Sequence, residues 1–464
     1  MKLFETMRKS VVDIELGEVV RIYVCGITAY DYSHIGHARS SVIFDTLRRF
    51  LEFKGHKVIM VQNFTDIDDK IIRRALEEGK TALEISERFI KEFLKDAEDL
   101  NLKECIRPKV SDYIPKIIEA VGKLLEKGFA YKIERERGYD VYFHVPKFES
   151  YGRLSGFTTE EMNVHRIEPD PLKKDPRDFA LWKAAKDEDI KVRSYFESPW
   201  GLGRPGWHIE CSVMSSEILG VPFDIHGGGK DLIFPHHENE RAQSYALFGV
   251  EPVRYWIHND FVTVRGEKMS KSLGNIVKIR DVVERYGGLA LRYFLLTAHY
   301  SKPLDYSEEK IREAKKSYEY LVNTLRNIDM EIAYLKTFDV EREKNDYKSY
   351  LGKFVEALEN DFNTPKALSI LHSFASYINK IIYSLSLDAL DSLFNEFYTM
   401  LDILGLVKDY RRSPVLDEET KNLIIERENA RKKREFKRAD EIRDYLRGKG
   451  LHLIDTKWGT RWHV

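Results

Sequence analysis

The sequence predicts a mixed α/β fold in which a parallel-sheet domain, interrupted by an insertion, is followed by an α-helical bundle and a small α+β C-terminal tail. Three observations predict it: an apolar strand–helix–strand pattern near the N-terminus, a return of glycine-rich turns and short apolar strands after residue 200, and an all-helical pattern from Ser307. Val19 to Gly26 (VVRIYVCG) is apolar and rich in β-branched residues, as a parallel strand buried on both faces requires. Ile43, Leu47, Phe50 and Leu51 then recur at helical spacing until Gly55 offers a C-cap. Lys57 to Phe64 (KVIMVQNF) reads as a second buried strand. Together these form a β-α-β unit of a Rossmann-type sheet.

The next elements follow in order. Residues 1–110 form the first half of the parallel-sheet domain, including the acidic run Thr65 to Lys70. Residues 111–199 read as an insertion, with a helical stretch (Tyr113 to Lys127), strand-like Gly138 to Val145, and a Pro/Asp/Lys-rich loop over Glu168 to Asp178. Residues 200–260 restore the sheet, and 261–306 carry strand Phe261 to Val264, the loop after it and a helix over Asp281 to Thr297. Residues 307–408 form the bundle: Ile311, Ala314, Tyr318, Leu321, Val322, Leu325 and Ile328 trace one apolar stripe. Thr364-Pro365 reads as an N-cap followed by proline at the first helical position, and Tyr347 to Glu359 and Leu390 to Leu404 supply further helices. Residues 409–464 hold a basic run (Arg427, Arg431, Lys432, Lys433, Arg434, Lys437, Arg438) and a hairpin-like ending, Leu451 to Asp455 and Arg461 to Val464 around Trp458-Gly459.

Composition narrows the class of protein. No stretch reaches the ~18 apolar residues of a membrane span, and MKLFETMRKS lacks the apolar core of a signal peptide. Cys25, Cys105 and Cys211 are too few for a disulfide framework, so a reducing cytoplasm is expected. The net charge of −1 leaves only local clustering to indicate a nucleic-acid partner.

Two segments carry chemistry. His34-Ile35-Gly36-His37 lies where the first strand turns onto a helix N-terminus, where exposed amides and the positive dipole end favour phosphate. Gly36 lets a nucleotide approach the backbone, and His34 and His37 can donate to phosphoryl oxygens. More than half the chain later comes the loop Lys268-Met269-Ser270-Lys271-Ser272. In this order the two resemble the HIGH and KMSKS signatures of class I aminoacyl-tRNA synthetases, which implies attack of an amino-acid carboxylate on the α-phosphate of ATP.

Metal-ligating residue types lie near both. Cys25 closes the first strand, Cys211 follows Trp207-His208-Ile209-Glu210, and Phe234-Pro235-His236-His237-Glu238-Asn239-Glu240 comes downstream. With a helix starting near Pro235, His236 and Glu240 share a face at i, i+4, a spacing suited to two ligands of one metal, and a Cys, Cys, His, Glu set suits Zn²⁺. His237 with Glu240, at i, i+3, is equally allowed, so helical geometry alone does not choose the histidine.

Tyr23 to Asp31, Asn63 to Lys70, the Trp207 and Phe234 segments, His226-Gly227-Gly228-Gly229, Asp361 to Pro365 and Ala439 to Arg443 resemble cysteinyl-tRNA synthetases from the first strand to the C-terminus. The resemblance implies zinc ligands at Cys25, Cys211, His236 and Glu240, with one Zn²⁺ that also accepts the substrate thiolate. It implies catalytic roles for His34, His37, Lys268 and Lys271, the lysines offsetting charge on the pyrophosphate leaving group. ATP is expected as substrate, with Mg²⁺, against Gly36, Gly227, Gly228, Gly229, Asp231, His258 and Lys271. Thr65 and Trp207 are expected to line a cysteine pocket. The partners implied are L-cysteine, ATP and tRNA(Cys), with cysteine carried to the 3′-terminal adenosine; the chain is expected to act as a monomer away from membranes. In one departure, Asp260 stands where the family usually has glycine, though the spacing to Lys268 is kept.

Two other functions compete. A related cysteine ligase acting on a small amine resembles the catalytic half but lacks the helical bundle, which is present here from Ser307 to Leu404. A synthetase-like RNA-binding protein without activity would have lost a motif residue, and His34, His37, Lys268 and Lys271 are all kept.

Overall fold

The computed structural model describes residues 1–157, 170–269 and 273–464, so the expectations attached to Lys271 lie outside the described residues. The chain forms two units, one of residues 1–308 with 360–362, the other of residues 309–359 with 363–464.

The first unit begins with an antiparallel hairpin, β1 (Lys2–Glu5) and β2 (Ser10–Asp13), which the apolar pattern alone did not reveal. β3 (Val19–Thr28), helix α1 (Ile35–Phe53) and β4 (Lys57–Thr65) follow as the expected β-α-β unit. Helices α2 (Asp69–Glu78) and α3 (Ala82–Asp99) come next; Asp68 caps α2 by accepting from Lys70 N, which gives the acidic run a structural use. Then come α4 (Ile114–Glu126) and a four-stranded antiparallel sheet of β5 (Ala130–Arg135), β6 (Gly138–Phe143), β7 (Phe179–Ala184) and β8 (Gly203–Pro205), the last strand lying beyond the 111–199 bounds expected for the insertion. After α5 (Trp207–Leu219) come β9 (Phe223–Gly229), a wide turn over Ile233–His237, α6 (Glu238–Phe248) and β10 (Val253–Asn259).

β10, β9, β3 and β4 lie in that order in one parallel sheet. The chain leaves β3 towards β4 on one side and β9 towards β10 on the other. The topological switch point therefore falls between β3 and β9, where ligands of open parallel sheets bind beyond the carboxyl ends of the strands. Cys25, Asn63, Thr65, His226, Gly227 and His258 all sit at those carboxyl ends.

The expected helix over Asp281 to Thr297 is two helices, α7 (Ile279–Tyr286) and α8 (Gly288–Leu295), broken at Gly287, whose φ of 88° leaves the helical region. Asp361 returns to the first unit, accepting from Phe4 N (2.8 Å) and Tyr300 Oη (2.6 Å).

The second unit is helical: α9 (Glu308–Phe338, all but its first residue), α10 (Leu351–Glu359), α11 (Thr364–Ile381), α12 (Leu387–Ile403), α13 (Glu418–Lys432) and α14 (Phe436–Gly448), then an antiparallel hairpin of His452–Thr456 and Gly459–His463. α11 is capped by Asn363, whose Oδ1 accepts from Lys366 N at 3.0 Å, rather than by Thr364. Asparagine is the stronger cap, and Thr364 becomes the first helical residue.

Candidate active site and metal centre

His34 is the N-cap of α1: its Nδ1 accepts from Gly36 N at 3.1 Å, while His37 Nδ1 accepts from His34 N at 3.3 Å. The two rings stack at 3.7 Å between centroids. Because each Nδ1 is an acceptor, each ring carries its proton on Nε2, so both present an N–H donor at the distal edge. Burial, then the neighbouring His34 and Lys70, hold the His37 pKa well below the usual imidazole range, so His37 stays a neutral donor.

The two signatures meet in space. Ile35 N donates to Val277 O and Ile279 N to Ser33 O, both at 3.0 Å, so the chain after the Lys268 loop is stitched to the turn before α1. A Cβ on Gly36 would lie 2.9 Å from the His34 ring and 3.3 Å from Met269 Cε, so the glycine is needed for this close approach. Lys268 is exposed at the end of a two-residue strand, its Nζ 4.1 Å from the centre of the Phe261 ring. Asp260, the departure from the family pattern, is buried with its carboxylate accepting from Phe261 N at 2.8 Å and facing Lys230 Nζ at 3.3 Å.

The glycine run after β9 serves the protein's own packing at two of its three positions. A Cβ on Gly227 would fall 2.3 Å from the Phe44 ring of α1, and one on Gly228 2.9 Å from His237. At Gly229 the near atom is Oδ1 of exposed Asp231, at 2.6 Å, which can swing away. Gly227→Ala is therefore expected to destabilise the first unit by about 1–3 kcal/mol through overpacking, and Gly229→Ala by much less. Thermal unfolding of the two variants checks the ordering.

The candidate metal ligands converge. Cys25 Sγ lies 3.9 Å from Cys211 Sγ and 3.6 Å from Glu240 Oε1, and His236 Nε2 lies 3.0 Å from the same oxygen. These four ligand atoms all lie within 4.8 Å of one another. A tetrahedral ion with metal–sulfur bonds of about 2.3 Å and metal–nitrogen or –oxygen bonds of about 2.0 Å needs S–S near ~3.8 Å and S–O near ~3.5 Å. The donor set fits. The turn over Ile233–His237 leaves Phe234 extended and starts α6 at Glu238, which puts His236 on the Glu240 side.

Outer partners orient each ligand. His208 Nδ1 is 2.9 Å from His236 Nδ1, which turns His236 Nε2 inward. His226 Nε2 lies 2.9 Å from Glu240 Oε2. Asn63 Oδ1 accepts from Gly26 N at 2.9 Å beside Cys25 and stands 3.9 Å from Cys211 Sγ, while its Nδ2 donates to Thr65 Oγ1 at 3.3 Å. Such partners tune ligand position and basicity. Electrostatics favour a cation here. The Cys25 thiol beside it and then His236 lower the Cys211 pKa to about 6 against the effect of burial. Burial raises that of Glu240, but His226 and His236 outweigh it and bring it to about 2. The anionic pair in turn raises His236 to about 10 despite burial.

Trp207 stacks on the His236 ring at 4.1 Å and lines a cleft of about 690 Å³ shared with Thr28, His208, Arg204 and Asn239. Thr65 is buried, its hydroxyl taken by Asn63. His258 differs from expectation: its Nε2 lies 2.7 Å from His237 Nδ1 and its Nδ1 2.7 Å from Thr6 Oγ1, so both ring nitrogens face protein groups and none is left for a nucleotide. Sequence reasoning assigned no role to the side chains of His226, His208 or Asn63, and left His237 only as an alternative ligand. The signal was there: five of the chain's 14 histidines (208, 226, 236, 237 and 258) fall within one stretch.

Residues 11–316 match the family described as tRNA synthetases class I (C) catalytic domain, and residues 353–408 match the DALR domain. A cysteine–tRNA ligase of Archaeoglobus fulgidus is 58% identical over the whole of both chains. One from Pyrococcus horikoshii is 48% identical across 100% of this chain and 98% of its own. Among solved structures, Mycobacterium tuberculosis methionyl-tRNA synthetase in complex with methionyl-adenylate is similar in fold, with a TM-score of 0.57 at 17% identity over 84% of this chain and 90% of that one. The LeuRS–tRNA–LeuAMS ternary complex of Agrobacterium radiobacter has a TM-score of 0.59 at 12% identity, over 83% and 85%.

Proposed function

The chain belongs to the class I cysteine–tRNA ligases, and from that premise we propose how its residues divide the work of joining L-cysteine, activated by ATP, to tRNA(Cys). In the first step the cysteine carboxylate attacks the α-phosphorus of ATP, and pyrophosphate leaves. His34 and His37 donate through Nε2–H to the phosphoryl oxygens as charge builds on them, the kind of fixed donor that contributes most to such reactions. Lys268 and Lys271 offset the charge on the departing pyrophosphate. Half-buried Gly229 and exposed Asp231 bound the adenosine side, while Gly227 and Gly228 keep α1 and His237 close to the sheet. Mg²⁺ accompanies the ATP. In the second step the 3′-terminal ribose hydroxyl of tRNA attacks the carbonyl carbon of cysteinyl-adenylate, the acyl–phosphate bond breaks and AMP leaves, and no side chain of the chain becomes covalently attached.

Cys25, Cys211, His236 and Glu240 would hold one Zn²⁺, a borderline-soft Lewis acid that would favour a thiol over a hydroxyl and lower the thiol pKa. Trp207 and Asn63 fix the position of His236 and Cys211 around it, and Thr65 is set by the same asparagine. The observation that carries the reading is the convergence of the His34–His37 cap and the four metal-ligating side chains on the carboxyl ends of one parallel sheet. The experiment is ATP–pyrophosphate exchange with each amino acid in turn, followed by tRNA charging; exchange with cysteine alone is expected, and exchange driven equally by serine would overturn the assignment of selectivity.

The second unit is proposed to hold the tRNA. Of its basic run, Arg427 is buried against Asp455, Arg431 reaches the same carboxylate, and Arg438 pairs with Glu426. Lys432, Lys433, Arg434 and Lys437 are exposed, with no ion-pair partner among the described residues. Replacing Lys432, Lys433 and Lys437 together by alanine is expected to weaken tRNA binding and to lower the slope of log K against log salt by about 2–3, since each phosphate contact contributes about 0.9. Cysteine-dependent exchange should stay unchanged. Unaltered charging across a salt series would return these lysines to a merely solvated helix face.

A further inference from the structure

Asp260 takes no part in the chemistry proposed above, yet three parts of the proposed nucleotide site meet at it. It follows the last residue of β10 and precedes the strand Val262–Val264, which leads to Lys268. Its Oδ1 accepts from Phe261 N at 2.8 Å, and its Oδ2 faces Lys230 Nζ at 3.3 Å. Lys230 stands between Gly229 and Asp231 in the turn after β9. Arg39, in α1 two residues beyond His37, is wholly buried. Asp260 and Arg39 grip one loop: Asp260 N donates to Tyr300 O at 2.8 Å, and Arg39 Nη2 donates to His299 O at 3.0 Å and Lys302 O at 2.5 Å. Arg39 Nε and Nη1 have no hydrogen-bond partner among the described residues. A buried guanidinium in that position needs a counter-charge. Burial pulls the Arg39 pKa down to about 10, and attraction by Asp260 opposes that fall.

We propose that Asp260 is a positioning residue for ATP: its carboxylate is the shared counter-charge of Lys230 and Arg39, and it fixes the turn after β9, helix α1 and the strand leading to Lys268 relative to one another. This role rests on the assignment given above, in which each of the three elements carries a group directed at the nucleotide. Gly229 and Asp231 lie on the turn, His34 and His37 on α1, and Lys268 just beyond the strand. The proposed metal ligands lie outside this set of contacts, so Asp260 acts on ATP and not on cysteine. The glycine usual at this position in the family has no side chain to set against either cation. Lys230 is 56% exposed, and its ion pair alone contributes little. Arg39 is where the carboxylate matters most, because a buried charge without its partner is strongly unfavourable.

The test is ATP–pyrophosphate exchange with the full chain, with the KM values for ATP and for cysteine measured separately. Asp260→Asn keeps an acceptor for Phe261 N and removes only the charge. It is expected to raise the KM for ATP roughly two- to thirtyfold, the range for residues that act without touching a ligand, and to leave the KM for cysteine unchanged. Lys230→Ala should raise the KM for ATP less, and Lys230→Arg should restore it. The double variant Asp260→Asn, Lys230→Ala should show less than the product of the two single effects, because both act through one pair. An unchanged KM for ATP in Asp260→Asn, KM values for ATP and cysteine that rise together, or single effects that multiply would each overturn the proposal. Should Asp260→Asn not fold, the two Lys230 variants decide: a native KM for ATP in the alanine variant, or an arginine variant no better than alanine, overturns it. A native chain without cysteine-dependent exchange fails the synthetase reading instead, which keeps the two failures distinct.

Discussion

Replacing Cys211 by serine is expected to leave the purified chain with less than one zinc and to lower cysteine-dependent pyrophosphate exchange by more than the roughly ten- to hundredfold that loss of an outer partner costs. The reason is local. Cys211 supplies a sulfur whose pKa is lowered by the Cys25 thiol and then His236, a soft donor that readily gives up its proton to a metal; a serine hydroxyl there stays protonated and hard. Exchange driven by serine as substrate should remain negligible, because what is lost is the affinity for sulfur and no compensating affinity for oxygen is gained. Asn63→Ala provides the graded comparison. It removes the amide between Gly26, Cys211 and Thr65 but no ligand, so a fall within about ten- to hundredfold is expected. Metal content and exchange rates of the two variants, measured side by side, check both. Full zinc and full activity in the serine variant would remove Cys211 from the centre.

Replacing His37 should act on the rate of adenylation rather than on cysteine binding. His37→Asn keeps an acceptor near the Nδ1 position, and hence the cap on His34 N, but loses the distal N–H. Loss of one such donor to a developing oxyanion costs about 2.7–4 kcal/mol, a fall of roughly a hundred- to thousandfold in kcat. His37→Gln, which puts an amide near the Nε2 position, should retain more activity. The pKa of His37 lies well below the imidazole range because of burial and its neighbours His34 and Lys70, so the ring is already neutral at the pH where an ordinary histidine titrates. No loss of rate on raising the pH through about 6.5 is therefore expected on its account. Equal rates in the native chain and the His37→Asn variant, across that range, would leave His37 a cap and nothing more.

How much of this was legible beforehand depended on whether a signal was local. β3, α1 and β4 follow from runs of β-branched residues and helical spacing, and the structure places them within a few residues of the expected ends. The break at Gly287 was not legible, because the apolar pattern runs through it and only the backbone shows the positive φ. The β1–β2 hairpin escaped for a different reason: two four-residue strands carry too little period to register. The four proposed metal ligands came from the resemblance, since Cys25 and Cys211 are 186 positions apart and no spacing rule joins them. Around them, His226, His237, His208 and Asn63 act through contacts made only when three strand ends and the turn before α6 come together. The glycine run has a second use that the sequence did not show: Phe44 and His237 occupy the space a Cβ would take at two of its three positions.

On the proposed reading, this chain selects cysteine by offering its thiol a metal held by Cys25, Cys211, His236 and Glu240. X-ray absorption at the zinc edge of the purified chain, with and without added cysteine, tests it most directly. One tightly bound zinc per chain is expected, with two sulfur neighbours, becoming three when cysteine is added and staying at two with serine. Absence of zinc, or a sulfur count that does not change with cysteine, would contradict it.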